Sequence, residues 1–310
     1  MTTLPRHRPV LLREAIEWLN IEPGGTYLDI TCGSGGHARA IAEILGPEGR
    51  LIAIDIDPAA VSRARACLKG YPAVVICGDY REIAKHLDNL GVDLVDGLLA
   101  DLGVSTEQLA DASRGFSLKA SGPLDMRFSQ QATRTTAAQI LDEYPERELT
   151  RIFREYEPRW AQRIAHRIVE RRRRESSQST AELAHLIAAA IPAPARKHGT
   201  HPATAAFLAL RVTVNAELAG VPPTLRTAVQ RSKRGARLCI ISYHSLEDKA
   251  VTGTLREMAR KCVCPSGQPV CTCGGPLIRL LTPKAIRPTA QEIEDNPRAR
   301  SAMLRCAERS

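Results

Sequence analysis

The 310-residue sequence lacks the long apolar segments that membrane proteins need. No run of about 18 apolar residues occurs, which argues against a membrane-spanning helix. The N-terminal stretch has no separate apolar segment followed by a small-residue cleavage site, so we expect no secretory signal. Internal repeats and long disordered tracts are also missing from the pattern. With 44% hydrophobic and 25% charged residues, the composition is that of a globular protein with one large domain or two ordinary ones.

The sequence has fewer acidic than basic residues. Against 43 Lys and Arg stand 34 Asp and Glu, which gives a formal net charge of +9. Such an excess suits a polyanionic partner such as nucleic acid, although it also aids solubility. The nine cysteines are an odd number, and Cys77 and Cys239 stand in apolar contexts that predict burial. These features favour free thiols in a reducing compartment, and therefore a cytoplasmic protein.

Short apolar strands alternate with helical segments from residue 10 to about residue 104. Repeated βα units of this length predict a parallel, doubly wound, Rossmann-like sheet. The pattern then becomes helical, and the strand pattern returns later in the chain. We therefore predict a discontinuous α/β domain over residues 1–111 and 206–310, interrupted by an inserted all-helical domain over residues 112–205.

A glycine-rich turn, CGSGG at residues 32–36, follows the first predicted strand. Such a turn between a strand and a helix allows a ligand to approach the backbone closely, at the sheet edge where doubly wound folds bind ligands. The spacing is G-x-G-G. Ala38 and Arg39 occupy the positions that follow, so the third glycine of the dinucleotide fingerprint is missing. The turn alone leaves NAD and S-adenosylmethionine open.

Carboxylates follow the predicted strands at the same edge. Asp55 ends the second strand, where it can accept hydrogen bonds from both hydroxyls of a ribose, as in NAD enzymes. Asp29 and Asp79 follow the first and third strands, unless they simply cap helices. Asp101 closes the fourth strand, where a transferred methyl group would lie, unless it only satisfies a turn. A ring of acids suits a cationic sulfonium and repels a pyrophosphate, so charge favours S-adenosylmethionine over NAD.

Eight segments, in matching order along nearly the whole chain, resemble the bacterial 16S rRNA cytosine-N4 methyltransferases, the RsmH or MraW family. The resemblance implies a class I methyltransferase domain with an inserted helical substrate-recognition domain. It also implies S-adenosylmethionine as methyl donor, and a cytidine of the small ribosomal subunit near the decoding (P-site) region as acceptor. The segments are HRPVLLREAIEWL, DITCGSGGH, LLADLGVSTEQL, RGFS, GPLDMRF, HPATAAFLALRVTVNAEL, SYHSLED and NPRARSAMLRCAER.

The resemblance also implies site residues. Tyr80 best matches an aromatic that contacts the cofactor after the third strand. We expect Asp101 to be the catalytic residue, because an acceptor must take the N–H hydrogen bonds as the cytosine nitrogen becomes cationic. His244 either positions the base or is only structural. The remaining expected cofactor contacts are Gly33, Gly35, Gly36, His37, Asp55, Asp101 and Gln108.

Other enzyme and binding classes fit less well. DNA amino-methyltransferases carry a Pro-Pro-aromatic sequence after the fourth strand, whereas this chain has DLGV at residues 101–104. A nicotinamide dehydrogenase would be expected to have the third glycine of the loop, which is missing here. An RNA-binding factor without activity would not keep the acids at the sheet edge.

Arginine is concentrated in residues 151–174, where nine arginines and three glutamates give a net charge of +6. Arg163, Arg167 and Arg171, followed by Arg174, share one face of a predicted helix. Such a face is most often just solvated, but its place in the predicted substrate domain favours contacts with RNA phosphates.

Four cysteines near the C-terminus have the spacing C-x-C-x6-C-x-C, at positions 262, 264, 271 and 273. In an extended hairpin the four sulfurs could converge on a zinc ion, although the spacing is not the usual C-x2-C. Zinc and reduced thiols both remain open, so we assign no metal.

Overall fold

A computed structural model describes residues 9–131, 134–173, 179–196, 199–261 and 275–310 of the chain. The molecule divides into two compact units. The first combines the described residues up to Gly103 with those from Leu218 onward, and the second is Val104–Glu217.

Helices and strands alternate through the first unit. The strands are β1 Thr26–Asp29, β2 Arg50–Asp55, β3 Ala73–Cys77, β4 Val95–Asp101, β5 Ser232–Ser242, β6 Ile278–Leu280 and β7 Met303–Arg309. The helices of the described residues are α1 Leu12–Leu19, α2 Gly36–Leu45, α3 Pro58–Cys67, α4 Ile83–Asn89, α5 Thr106–Ala110, α6 Ala137–Glu143, α7 Glu146–Arg154, α8 Ala161–Arg172, α9 Thr180–Ala190, α10 Thr204–Asn215, α11 Glu217–Gln230, α12 Ser245–Met258 and α13 Ala290–Asp295.

The seven strands in the described part of the chain form one sheet in the order β3-β2-β1-β4-β5-β7-β6. Strands β1 to β5 pair in parallel, and β7 runs antiparallel to both β5 and β6. This order confirms the predicted doubly wound sheet, with an antiparallel edge that the pattern did not predict. The strand order reverses between β1 and β4, which makes their carboxyl ends the expected place for a ligand.

Both faces of the sheet are covered, because alternate residues of a strand point to opposite sides. On β2, Leu51 and Ala53 belong to the hydrophobic cluster that contains residues of α1, α2 and α3. Ile52 and Ile54 belong to the cluster on the other side, with residues of α4, α11 and α12. This two-sided burial explains why β2 is almost continuously apolar in sequence.

The described part of the second unit consists of helices α5 to α10 and short 3-10 turns. Its core includes Phe153 of α7, Ile164 of α8, Leu183 of α9 and Leu210 of α10. Helix α9 is capped at its start, because the side chain of Ser179 accepts a hydrogen bond from the backbone N–H of Glu182.

The helical unit is longer at both ends than the insert expected at residues 112–205. Phe207, Leu210 and Val214 of α10 are buried in its core. Beyond them, the side chain of Asn215 donates to the carbonyl of Met126 and accepts from the N–H of Phe128, each over 2.8 Å. The helical pattern of α10 is evident in sequence, but nothing local to it indicates which core its apolar face joins.

Cysteine burial follows the sequence only in part. Cys239 is buried, as predicted, and its Sγ lies 3.4 Å from Sγ of Cys306 on the neighbouring strand. The prediction for Cys77 was wrong, because the last residue of β3 is exposed. Among the described residues no single helix is long and apolar enough to cross a membrane, although α10 and α11 pass that test together as a bent pair.

Candidate active site

The turn between β1 and α2 is crowded at two of its glycines and open at the third. Gly35 caps α2 with φ +91°, and a Cβ built there would lie 3.1 Å from Cβ of Cys67. At Gly36 a Cβ would approach Cγ of Pro9 to 2.5 Å. At Gly33 a Cβ would meet nothing within 4 Å. The glycines therefore let α2 pack closely while the backbone stays accessible at Gly33.

Asp55 at the end of β2 is hydrogen-bonded to this turn. Its Oδ2 accepts from the N–H of Gly33 over 2.8 Å, and its Oδ1 accepts from the N–H of Asp57 over 2.9 Å. Burial raises the pKa of Asp55 to about 6, against the opposing effect of these two N–H donors. A carboxylate oxygen has more than one lone pair, so the same oxygens can also accept from a ligand.

Asp101 ends β4 across the reversal point from the turn. Its backbone N–H donates to Oγ1 of Thr31 over 2.6 Å, and its side chain is 19% exposed. The hydroxyl of Tyr243 donates to Oδ1 over 2.7 Å, while Oδ2 lies 3.7 Å from Nδ1 of His37. The structure therefore brings two of the predicted site residues together, namely His37 and Asp101.

His37 lies in the first turn of α2 and is buried. Its Nε2 lies 3.0 Å from the carbonyl oxygen of Val10, which can only accept, so Nε2 carries a hydrogen. Nδ1 then faces Asp101 without a hydrogen unless the ring is doubly protonated. The imidazole therefore lies beside the Asp101 carboxylate at the start of α2.

Two of the four acids predicted at the sheet edge, Asp29 and Asp79, do not offer a negative charge to a ligand in the structure. Asp29 is only 1% exposed, and burial raises its pKa to about 8, with the charges of Asp101 and Asp55 adding to the shift. Asp79 caps a 3-10 turn and pairs with Arg81, whose Nε donates to Oδ1 over 2.8 Å. For Asp79 the capping alternative is the correct one. The charge argument for a sulfonium ligand therefore depends on Asp55 and Asp101.

Tyr80 and Gln108 occupy ordered positions in different units. Tyr80 opens the 3-10 turn after β3 and is partly buried. In the second unit, Gln108 is buried, and its Oε1 accepts from the backbone N–H of Ser105 over 2.9 Å, in a capping box that begins α5. Neither position contradicts a cofactor contact, and both assignments stay predictions.

Sequence reasoning missed Tyr243 and left His244 open. The signal for Tyr243 is its place directly after β5, the strand whose Ile241 lies opposite Asp101. His244 caps α12, because its Nδ1 accepts from the N–H of Glu247 over 3.3 Å. His244 therefore has a structural role, which is to cap α12.

Comparison with known proteins gives the family. The model of the MraW methylase family matches residues 5–310. The chain belongs to the MraW methylase family. Its relatives include proteins named ribosomal RNA small subunit methyltransferase H. The protein from Thermomicrobium roseum is 48% identical over 98% of this chain and 93% of its own length, and the one from Syntrophobacter fumaroxidans is 45% identical over 98% and 96%.

Membership of the MraW methylase family confirms the predicted methyltransferase activity and S-adenosylmethionine as the cofactor. It also confirms the class I, Rossmann-like fold that the sheet order shows. Among solved structures, an rRNA methylase from Streptococcus thermophilus matches with 9% identity and a TM-score of 0.44, over 100% of this chain and 98% of its own.

The three arginines predicted to contact RNA lie on α8 of this methylase. Arg163 and Arg167 are exposed, and Arg171 is partly exposed. Arg167 pairs with Glu170 over 3.4 Å, and Nη2 of Arg171 lies 3.9 Å from Oε2 of Glu182. Position 174 and the four cysteines at 262–273 lie outside the described residues.

Arg172 has a structural role on the same helix. Its Nη1 donates to three backbone carbonyls at the end of α6 and just beyond it, those of Leu141, Asp142 and Tyr144, over 2.7–3.2 Å. These carbonyls have no partner within their own helix, so Arg172 caps α6. The charged side chain of Arg172 therefore stabilises the fold of the helical unit.

Proposed function

We propose that the protein transfers the methyl group of S-adenosylmethionine to the N4 amino group of one cytidine in 16S rRNA, near the P-site region of the small ribosomal subunit, in the cytoplasm. The observation that carries the proposal is the Asp101 carboxylate, held by a tyrosine hydroxyl at the end of β4, where the strand order reverses. Family membership and the names of the relatives support the rRNA substrate.

The residues of the first unit fit the cofactor. When bound, S-adenosylmethionine supplies an electrophilic methyl carbon on a positively charged sulfur. Gly33 leaves space beside the backbone, and the Asp55 carboxylate at that position is suited to the two hydroxyls of a ribose. The proposed cofactor contacts of this unit are Gly33, Gly35, Gly36, His37, Asp55, Tyr80 and Asp101, and Gln108 of the second unit stays a contact that the family resemblance implies.

The chemical task of the site is to make a weak nucleophile react. The lone pair of the cytosine amino group is delocalised into the ring, so alignment of the nitrogen with the reacting carbon provides most of the rate enhancement, up to about 7–11 kcal/mol. Asp101 accepts an N4–H hydrogen bond and stabilises the positive charge that develops on the nitrogen. The base must leave its stack to reach this carboxylate.

The helical unit provides the RNA contacts in this proposal. Arg163, Arg167 and Arg171 present positive charge along the outside of α8, while the buried side of the helix packs in the core. Phosphate contacts of this kind position a nucleic acid without reading its sequence. The choice of nucleotide then depends on the groups that surround Asp101.

Replacing Arg167 and Arg171 together by Ala is expected to weaken RNA binding by about 3- to 30-fold at low salt, because two phosphate contacts are lost. The slope of log affinity against log salt should also become shallower by up to about 1.8. Binding to a small-subunit rRNA fragment at several salt concentrations measures both. The matched control is Arg226→Ala, an exposed arginine paired with Glu257 in the first unit. An unchanged salt slope in the double variant would contradict the role of α8.

Methyl transfer tests the proposed function directly. Purified protein is incubated with labelled S-adenosylmethionine and small-subunit particles from cells that lack this enzyme, and the modified nucleotide is then mapped. We expect a single labelled cytidine with the methyl group on N4. Label on another base, on C5 of cytosine or only on DNA would overturn the assignment.

A further inference from the structure

Tyr243 is a donor fixed beside the carboxylate that the proposed function makes catalytic. Its hydroxyl lies 2.7 Å from Oδ1 of Asp101, and its backbone N–H donates to Oε2 of Glu247 over 2.8 Å. Burial, followed by the charge of Asp101, raises the pKa of Tyr243 well above 10. The phenol therefore keeps its hydrogen at neutral pH and donates it to the carboxylate.

We propose that Tyr243 is a positioning residue, whose hydroxyl fixes the orientation of the Asp101 carboxylate and keeps it ionised. The proposal deepens the proposed function and rests on it for the role of Asp101. A hydrogen bond donated to the charged form of an acid favours that form. With Oδ1 held by Tyr243, the carboxylate plane is fixed and Oδ2 is directed to the side where His37 lies.

The neighbours of Asp101 favour such a donor, because Asp29 is close enough for the charge of Asp101 to help raise the pKa of Asp29. Carboxylates near one another disfavour ionisation of each, so a hydrogen bond to the ionised form offsets part of that cost. The phenol remains neutral, so it does this without adding a positive charge next to a cationic cofactor. The titratable groups that face Asp101 or Tyr243 are His37 from α2, Asp29 from β1, Glu247 from α12 and Glu292 from α13.

The first test uses the protein without cofactor or RNA, so it does not depend on the substrate. Aspartate is labelled with carbon-13 at the carboxyl group, and the signal of Asp101 is identified by its loss in Asp101→Asn. We expect the Asp101 carboxyl to become protonated at a pH about one unit higher in Tyr243→Phe than in the unmodified protein. Thermal melting of both proteins checks that the variant is folded.

Tyr71→Phe is the matched control. Tyr71 also donates its hydroxyl to a carboxylate, that of Glu43, over 3.0 Å, but on the exposed surface. This variant should leave the Asp101 titration unchanged. A Tyr243→Phe titration identical to the control would overturn the proposal. If Tyr243→Phe does not fold, a difluorinated tyrosine at position 243 donates more strongly and should move the midpoint to lower pH; no movement would equally overturn it.

The second test asks whether Tyr243 acts through Asp101. Tyr243→Phe should lower kcat for methyl transfer about 10-fold and move the acidic limb of the rate profile to higher pH. In an Asp101→Ala background, loss of the hydroxyl should have no further effect on cofactor affinity or rate. A full additional effect in that background would assign Tyr243 a general structural role. Inactivity of the unmodified protein would instead contradict the proposed function and leave the titration result standing.

Discussion

Asp101→Asn is expected to lower kcat for methyl transfer by about 10²–10³-fold, the usual cost of removing one group that stabilises developing charge. The variant keeps the shape of the side chain, and its amide oxygen can still accept from Tyr243. It loses the negative charge, and its amide nitrogen donates where the carboxylate oxygen Oδ2 would accept from the cytosine amine. We therefore expect the rate to fall much more than the affinity for RNA. Single-turnover methylation with saturating cofactor measures the rate.

The control for this variant is Asp93→Asn, which precedes the same strand at its other end. Its side chain is 90% exposed and pairs with Arg231 on the surface. Such a pair contributes little to stability, so the control should keep full activity. If Asp101→Asn retained most of the rate, alignment of the base alone would account for catalysis and Asp101 would be a cofactor contact only.

The sheet could be predicted from sequence because its signals are local. β2 is apolar on both faces, and the turn after β1 needs glycine at two crowded positions, Gly35 and Gly36. The parallel strands β1, β2 and β4 also end in Asp29, Asp55 and Asp101, and the parallel topology carries these ends to one edge of the sheet. These signals place Asp55 and Asp101 at one edge of the sheet from the sequence alone.

Other parts of the site depend on neighbours that are distant in sequence. Asp29 and Asp55 both stand at the end of a predicted strand. The side chain of Asp29 is enclosed, however, so its charge is decided by burial and not by its position in the sequence. Tyr243 lies 142 residues from Asp101, and only the pairing of β4 with β5 brings them together. The role of Arg172 as a cap for α6 likewise appears only once α6 and α8 are packed.

Asp55→Asn is expected to raise the dissociation constant of S-adenosylmethionine by about 10- to 100-fold, because the amide oxygen still accepts from one ribose hydroxyl and the one lost bond to a charged acceptor is worth about 1.5–3 kcal/mol. The pH dependence gives a sharper result. Since the pKa of Asp55 is raised to about 6, the carboxyl is mostly protonated at pH 5 and mostly ionised at pH 7. The ionised form accepts from both ribose hydroxyls, so affinity should increase as pH rises through 6 in the unmodified protein and stay flat in Asp55→Asn. Calorimetry between pH 5 and pH 7 measures it.

Asp96→Asn is the matched control for this experiment. Asp96 accepts from the N–H of Thr26 over 2.8 Å and pairs with Lys233, as a carboxylate bonded to backbone at the opposite end of the sheet. Its replacement should leave the affinity and its pH dependence unchanged. If the unmodified protein bound the cofactor equally well at pH 5 and pH 7, Asp55 would not be the ribose acceptor. The bond to the N–H of Gly33 would then be its whole function, as the residue that holds the glycine turn against the end of β2.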